Sequence, residues 1–134
     1  MSRKHALVLG ISAPLALTFL AASHDAFAQK PPAPLTRIAE LEIDPAQLDA
    51  YKAALSEEIS ASIKLEPGVL TLYAVSLKDN PAQIRLFETY ASTAAYQSHL
   101  KTPHFLKYKN ATQGMVRSLK LVETDPILLG AKSK

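Results

Sequence analysis

The first structured segment is one in which apolar and polar side chains alternate. From Leu35 to Ile43 this period of two gives one apolar and one mostly polar face, which predicts a β-strand. Asp44-Pro45 then forms a helix start signal, with Gln47 placed to reach back to the cap. An amphipathic helix is predicted from there to about Leu65. Its apolar positions recur at steps of three and four, at Leu48, Tyr51, Leu55, Ile59 and Ile63, whereas Glu57 and Glu58 fall elsewhere.

Turn residues separate the next two strands. Glu66-Pro67-Gly68 ends the helix, and Asp79-Asn80-Pro81 divides two segments rich in β-branched and aromatic residues, Val69 to Lys78 and Ile84 to Tyr90. These two segments predict a β-hairpin.

Two capping signals follow the hairpin. Ser92 is placed to cap a short helix through Lys101, and Thr102-Pro103 starts another through roughly Val116. Ser118 to Glu123 is predicted to be the last strand. The order β-α-β-β-α-β predicts an α+β, ferredoxin-like sandwich whose second helix is broken at Thr102-Pro103.

Both faces of this sheet carry apolar residues. In the hairpin, Val69, Tyr73 and Val75 share one parity, and Leu70 and Leu72 share the other. Helices in this topology cover only one face, so the second face needs another cover. A second copy of the sheet is the economical solution, and we therefore expect a homodimer.

The amino terminus has the pattern of a secretory signal peptide over residues 1–28. A basic start at Arg3 and Lys4 precedes an apolar stretch, and Ala26-Phe27-Ala28 supplies the small residues of a cleavage site. The alternative is a retained membrane anchor, but the stretch is shorter than the roughly 20 residues that span a bilayer. We expect secretion across the inner membrane, a periplasmic location and no membrane attachment after cleavage.

The remaining boundaries follow from composition. Residues 29–34 form a Pro-rich linker, residues 35–125 form the folded domain, and residues 126–134 form a carboxyl-terminal tail. The apolar tail segment Pro126-Ile127-Leu128-Leu129 is expected either to be buried across the dimer interface or to be a frayed end.

Charge and residue counts exclude several functions. Removing residues 1–28 takes away two of 15 basic and one of 12 acidic side chains, which leaves 13 against 11, so attraction to nucleic acid is not indicated. The chain has no Cys, which excludes thiolate chemistry and Cys-based metal sites. Only Gly68, Gly114 and Gly130 follow the signal, so no Gly-rich nicotinamide or flavin loop is present and no cofactor is predicted.

Two histidines and one glutamate are the candidate catalytic residues. His99 falls in the last turn before the helix break and His104 in the first turn after it, where the helix-end field favours a neutral imidazole, so His104 is expected to be the better base. Both also fit capping or packing roles. Glu88 lies in an apolar strand, where it either orients a histidine or accepts a substrate hydroxyl, or else makes a structural hydrogen bond or ion pair with Arg85 or Arg117 of either subunit.

Aromatic residues provide candidate substrate contacts. Tyr73, Tyr90, Tyr108 and Phe105 are the candidates for stacking on a flat ring, although aromatic residues at these spacings are also typical of a core. No metal site is predicted, because the two histidines are five residues apart and would need Glu88 or a partner-chain ligand to complete one.

Several motifs together resemble the antibiotic biosynthesis monooxygenase superfamily, particularly its quinol-monooxygenase-like branch. They are Glu66-Pro67-Gly68-Val69-Leu70, Phe87-Glu88-Thr89-Tyr90, Ala94-Ala95-Tyr96 and the run from His99 to Phe105, HLKTPHF. The resemblance covers about residues 36–123 and implies a dimeric α+β barrel and, for some members, oxygenation of phenols or quinols without metal or flavin. The haem-degrading branch is disfavoured, because His99 and Lys109 stand where that branch has a Trp and a haem-ligating His.

The resulting hypothesis is a cofactor-independent monooxygenase acting on a small quinol or phenol with molecular oxygen. A phenol titrates near 10 and imidazole near 6.5, so about 3.5 units, or roughly 5 kcal/mol, must come from hydrogen bonds to the developing anion in a dry pocket. The alternative is a periplasmic binding or stress-response dimer that holds a hydrophobic molecule without transforming it.

Overall fold

Four antiparallel strands form one sheet in the computed structural model, which describes residues 32–132. The strands lie in the order β2-β3-β1-β4, and their bounds are β1 Leu35–Ile43, β2 Val69–Ser76, β3 Gln83–Tyr90 and β4 Val116–Thr124. Three helices, α1 Leu48–Leu65, α2 Thr93–His99 and α3 Pro103–Thr112, complete the fold after one 3₁₀ turn at Pro45–Gln47. The predicted ferredoxin-like order is confirmed. The predicted signal peptide and the first residues of the linker lie outside the described residues.

The helix starts follow the predicted capping chemistry. The side chain of Asp44 accepts a hydrogen bond from the Ala46 amide at 3.0 Å, and Thr102 Oγ1 accepts one from the Phe105 amide at 3.3 Å. The Gln47 side chain lies beside the cap carboxylate of Asp44, and its amide donates to the Gly114 carbonyl at 3.4 Å. Helix α3 ends at Thr112 rather than near Val116, because the chain turns there and enters β4.

The buried face of α1 is rotated from the predicted one. Glu58 lies on the buried face, whereas Ile63 is half exposed. The fully buried positions advance by four, three and four residues, at Tyr51, Leu55, Glu58 and Ser62. A carboxylate therefore faces the sheet in a place where the apolar pattern predicted only aliphatic side chains.

A bulge between Val69 and Thr71 changes which face of the sheet the following β2 side chains occupy. Because of the extra residue, Val69 and Leu72 are both buried beneath the helices, while Leu70 is exposed. Tyr73 pairs with Phe87 on the opposite face. The predicted grouping of Val69 with Tyr73 is therefore wrong.

The helices cover one face of the sheet and leave the other open. The open face is apolar on β2 and β3, where Tyr73, Val75 and Phe87 are exposed. On β1 and β4 it carries charges, with Glu40 paired in register with Lys120. The second face is therefore mixed in character, and its apolar part is concentrated on the hairpin.

No helix among residues 32–132 combines the length and the hydropathy needed to cross a bilayer. After β4 the described tail has no helix or strand, and Ile127 and Leu128 are almost fully exposed. Burial of this tail in an interface stays a prediction.

Gly68 is required where α2 packs against the start of β2. A Cβ atom at this position would lie 2.6 Å from the Ala95 Cβ. We expect Gly68→Ala to lower the free energy of unfolding by about 1–3 kcal/mol through overpacking, as measured by urea denaturation. Gly114→Ala is the matched control, because a Cβ there would have no atom within 4 Å. Equal stability of the two variants would contradict this packing constraint.

Candidate functional site

A cavity of about 610 Å³ lies between the covered face of the sheet and the helices. Its lining is mostly apolar and comes from all four strands and the helices, through aliphatic residues that include Ala39, Leu41, Leu55, Leu72 and Leu86. Its polar lining includes Glu58, Glu88, Tyr90, His99 and Tyr108. An apolar chamber with a few polar groups is typical of a site for an organic small molecule.

The cavity is bounded by the covered side of β4 and by α3. Leu119 and Leu121 line it and are about half exposed, so this side is partly open. Lys109 and Arg117 also line the cavity. A ligand would therefore meet basic side chains as well as aliphatic walls.

The broken helix brings both candidate histidines to one carboxylate. His99 Nδ1 lies 3.0 Å from Glu66 Oε1, and His104 Nε2 lies 2.6 Å from the same oxygen. An ionised carboxylate only accepts hydrogen bonds, so both of these ring nitrogens carry the proton and donate. The sequence predicted both histidine positions but not their shared acceptor.

Local sequence explains why the three groups meet. Glu66 is the C-cap of α1, His99 is the last residue of α2, and His104 is in the first turn of α3. The hydroxyl of Thr102 both caps α3 and donates to the His99 carbonyl at 2.8 Å, which fixes the short link between the two helices. Pro67 stops α1 directly after the carboxylate.

Hydrogen bonds keep Glu66 ionised. Burial acts to raise its pKa, but the hydrogen bonds from His104 and His99 outweigh burial and hold the pKa of Glu66 below its ordinary value. The carboxylate is therefore able to orient both imidazoles throughout the neutral range.

A second carboxyl group faces the other edge of the His99 ring. Glu58 Oε1 lies 3.7 Å from His99 Nε2 and accepts a hydrogen bond from Ser62 Oγ at 2.6 Å. Burial raises the pKa of Glu58, with the Ser62 bond and the nearby histidines opposing that rise. His99 is thus held at Nδ1 by Glu66 and presents Nε2 towards Glu58 and the cavity.

Glu88 contacts neither histidine in the described residues. It accepts a hydrogen bond from the Tyr90 hydroxyl at 3.1 Å. Within one protomer the two predicted arginines bind other groups: Arg85 donates to Gln83, and Arg117 donates to Asp44 at 3.2 Å. The carboxylate that orients the histidines is Glu66, while Glu88 lines the cavity itself.

Burial raises the pKa of Glu88, with the Tyr90 bond and Arg37 opposing the rise. A raised carboxyl pKa stabilises the fold below the unfolded value of 4.5 and loses that contribution as pH rises through the folded value. We expect Glu88→Gln, whose amide oxygen still accepts from Tyr90, to gain melting temperature relative to the parent chain as pH rises from 4.5 to about 8. Scanning calorimetry across that range tests this. A difference independent of pH would contradict it.

Three of the four aromatic candidates line the cavity. Tyr90, Phe105 and Tyr108 do so, and Phe105 lies 4.8 Å from His99 between ring centroids. Tyr73 does not line it, because the bulge in β2 places this side chain on the open face.

Buried hydroxyl groups remain protonated around the cavity. Tyr51 and Tyr108 share a hydrogen bond of 2.7 Å between their hydroxyl oxygens. Burial raises the pKa of Tyr51, Tyr90 and Tyr108. These groups therefore stay neutral. The Tyr90 proton is donated to Glu88, and one proton lies between Tyr51 and Tyr108, which leaves the second hydroxyl proton of that pair to donate to a ligand.

The fold and the cavity define a class of small α+β proteins with a binding chamber under the helices. Residues 34–111 match the family described as antibiotic biosynthesis monooxygenase. The chain belongs to this family, which confirms the family resemblance seen in its sequence.

Solved structures agree with the assignment. A protein from Bacteroides thetaiotaomicron, provisionally named an antibiotic biosynthesis monooxygenase, is 48% identical with a TM-score of 0.72, over 75% of this chain and 96% of that one. A provisionally named monooxygenase from Lactobacillus acidophilus is 32% identical with a TM-score of 0.65, over 66% of this chain and 42% of that one. One from Nitrosomonas europaea, at 21% identity and a TM-score of 0.66 over 70% of this chain and 90% of that one, shares the fold. Curated protein sequences gave no significant match.

Proposed function

We propose that this protein is a monooxygenase that acts on a small quinol or phenol and uses His99 as its base. The observation that carries the proposal is the position of His99: its imidazole lines an apolar cavity of about 610 Å³ while Glu66 holds Nδ1 at 3.0 Å. A base oriented by a carboxylate beside a mostly apolar chamber is an arrangement that suits proton abstraction from a phenolic hydroxyl.

His99 is favoured over His104 by access to the cavity. The Nε2 atom of His104 is engaged by Glu66 at 2.6 Å, and His104 lines a separate, smaller cavity. The helix-end argument from the sequence favoured His104, but a base must reach the substrate proton before its proton affinity matters.

The neighbouring acids suit the anion that deprotonation creates. Burial raises the pKa of Glu88, which favours its protonated form. A protonated carboxyl group or a neutral tyrosine donates a hydrogen bond to a phenolate oxygen, which stabilises the anion. Glu88 and Tyr108 are the cavity groups proposed for this role.

The reaction balances without a further reductant. A phenol gives its proton to His99, and the electron-rich ring then passes electrons to molecular oxygen. One oxygen atom forms a bond to ring carbon and the other leaves as water, so a phenol becomes a quinone and a quinol becomes a hydroxyquinone. The substrate supplies all four electrons, which is why it must be electron-rich.

An oxygen electrode tests the activity. The purified chain is expected to consume oxygen with at least one member of a panel of substituted hydroquinones, naphthols and anthrones, above the rate of heat-denatured protein. Tight binding of panel members, measured by calorimetry, without oxygen uptake would contradict the proposal and favour a protein that holds a small molecule unchanged.

We further propose that two protomers associate through the open face of the sheet. The support is the exposed hairpin patch of Tyr73, Val75 and Phe87, an apolar surface that water does not solvate well. A copy related by a twofold axis would place each patch on its equivalent and leave the helix-side cavities outside the interface.

We also propose that the chain acts after export to the periplasm. The support is the basic start, the apolar stretch and the small residues Ala26 and Ala28. Amino-terminal sequencing of protein from a periplasmic extract is expected to begin at Gln29; recovery of the uncleaved chain only from the cytoplasm would contradict export.

A further inference from the structure

Three side chains that bind transition metals meet where α1 ends and the broken helix turns. One ligand atom from each of Glu66, His99 and His104 lies within 4.8 Å of the others. We propose that these three groups form a site for one divalent transition metal of the Zn²⁺ class. The sequence pattern pointed only to Glu88 or a partner chain for a third ligand, and Glu66 is the residue that lies beside both histidines.

The distances are close to those a metal requires. Zinc bonds of about 2.0–2.2 Å in tetrahedral geometry separate neighbouring ligand atoms by about 3.3 Å. The His99 Nδ1 to Glu66 Oε1 distance is 3.0 Å, and the His104 Nε2 distance to the same oxygen is 2.6 Å. Each imidazole therefore needs to move away from the carboxylate oxygen by less than about 1 Å, with the metal replacing the two protons now between them. The two ring nitrogens, which lie within 4.8 Å of each other, must also reach a separation of about 3.3 Å.

The ligand types select the metal class. Two imidazole nitrogens and one carboxylate oxygen suit Zn²⁺, Co²⁺ or Ni²⁺, whereas Mg²⁺ and Ca²⁺ prefer oxygen ligands throughout. Three protein ligands leave at least one position for water.

An outer carboxylate is already in place. His99 would bind the metal through Nδ1, and its Nε2 faces Glu58 Oε1 at 3.7 Å. Ser62 Oγ fixes that carboxyl group at 2.6 Å. A carboxylate behind a metal-binding imidazole is the usual arrangement that orients the ring and strengthens the ligand.

A second cavity borders the proposed site on the His104 side. It has a volume of about 240 Å³ and is lined by His104 together with Glu57, Glu58 and Lys107. Glu58 and Tyr108 line both this cavity and the substrate cavity, and Glu57 is paired with Lys107. His104 thus offers an approach to the site on the side away from the sheet.

Metal binding would compete with the base. A neutral imidazole bound through Nδ1 keeps its proton on Nε2, so His99 could no longer accept a proton from substrate. This consequence rests on the proposed function. It makes the metal an inhibitor of the oxygenase rather than its cofactor.

The test is a titration of the full chain, carrying no histidine tag, with Co²⁺ followed by visible absorption. We expect one Co²⁺ per chain with the intense bands of a tetrahedral nitrogen and oxygen environment. Glu66→Gln and His104→Gln should each weaken binding at least about a hundredfold, since loss of an outer-layer partner alone weakens metal sites 10–100-fold. Circular dichroism of each variant establishes that it is folded.

The matched control replaces the two remaining histidines, His5→Gln with His24→Gln, and should bind Co²⁺ as the parent chain does. Absence of tetrahedral bands, or bands abolished by the control pair and retained in Glu66→Gln, would overturn the site. Zn²⁺ inhibition is measured separately. Metal binding by a chain that never consumes oxygen refutes the function alone, and oxygenase activity in a chain that binds no Co²⁺ refutes the site alone.

Discussion

Replacing His99 by glutamine is expected to lower quinol-dependent oxygen consumption by about 10²–10⁴-fold, the usual contribution of a positioned general base. Glutamine is close to imidazole in reach, and its amide can still donate to Glu66, so the junction of the helices should survive. The loss should fall on kcat more than on KM, because the base acts on the substrate proton while the cavity walls carry most of the binding. Steady-state oxygen electrode measurements with the best panel substrate give both constants.

Two further variants separate the base from its support. Glu66→Gln keeps an acceptor oxygen but loses the charge that orients His99, so its activity should lie between those of the parent chain and His99→Gln. His104→Gln should lose the least, because its contact is with Glu66 and not with the substrate cavity. Full activity in His99→Gln together with inactivity in His104→Gln would reverse the assignment.

Replacing Tyr73 by glutamate is expected to convert the proposed dimer into a monomer. Tyr73 is 65% exposed within one protomer and pairs with Phe87 at the centre of the hairpin patch. A charge there would have to be desolvated against its own symmetry mate, which opposes association through both burial and repulsion. Sedimentation velocity across a range of concentrations measures the change.

Leu65→Glu is the matched control for this prediction. Leu65 is 63% exposed, nearly the same as Tyr73, but it lies at the end of α1 on the helix side of the sheet. The control should remain a dimer if the open sheet face is the interface. A parent chain that sediments as a monomer, or dissociation by Leu65→Glu with a dimeric Tyr73→Glu, would show that this face does not pair.

The parts of the fold that local chemistry determines were predictable. Thr102-Pro103 predicts a helix start, because a hydroxyl cap and a fixed proline φ both act within one turn. The structure has the helix break at that position. Asp44-Pro45 acts in the same way. Since the break was correctly placed, His99 and His104 could be assigned to facing helix ends without knowledge of the tertiary structure.

The two glutamates beside the histidines, Glu66 and Glu58, were not predicted as site residues. Glu66 was interpreted only as part of a helix stop, since its partners lie 33 and 38 residues away along the chain. Glu58 carried a usable signal that was missed: it is three residues after Leu55 and seven after Tyr51, and so shares their helix face. The face of the sheet on which Tyr73 lies depends on the bulge after Val69. That bulge arises from strand pairing rather than from local propensity, so the sequence pattern did not predict it.

The most direct test of the central claim is a single turnover in ¹⁸O₂ followed by mass spectrometry of the organic product. The account predicts that one ¹⁸O atom enters the quinone product and the other appears in water, and that His99→Gln slows this incorporation with the label distribution unchanged. Oxygen uptake that ends as hydrogen peroxide, with an unlabelled product, would contradict a monooxygenase at this site.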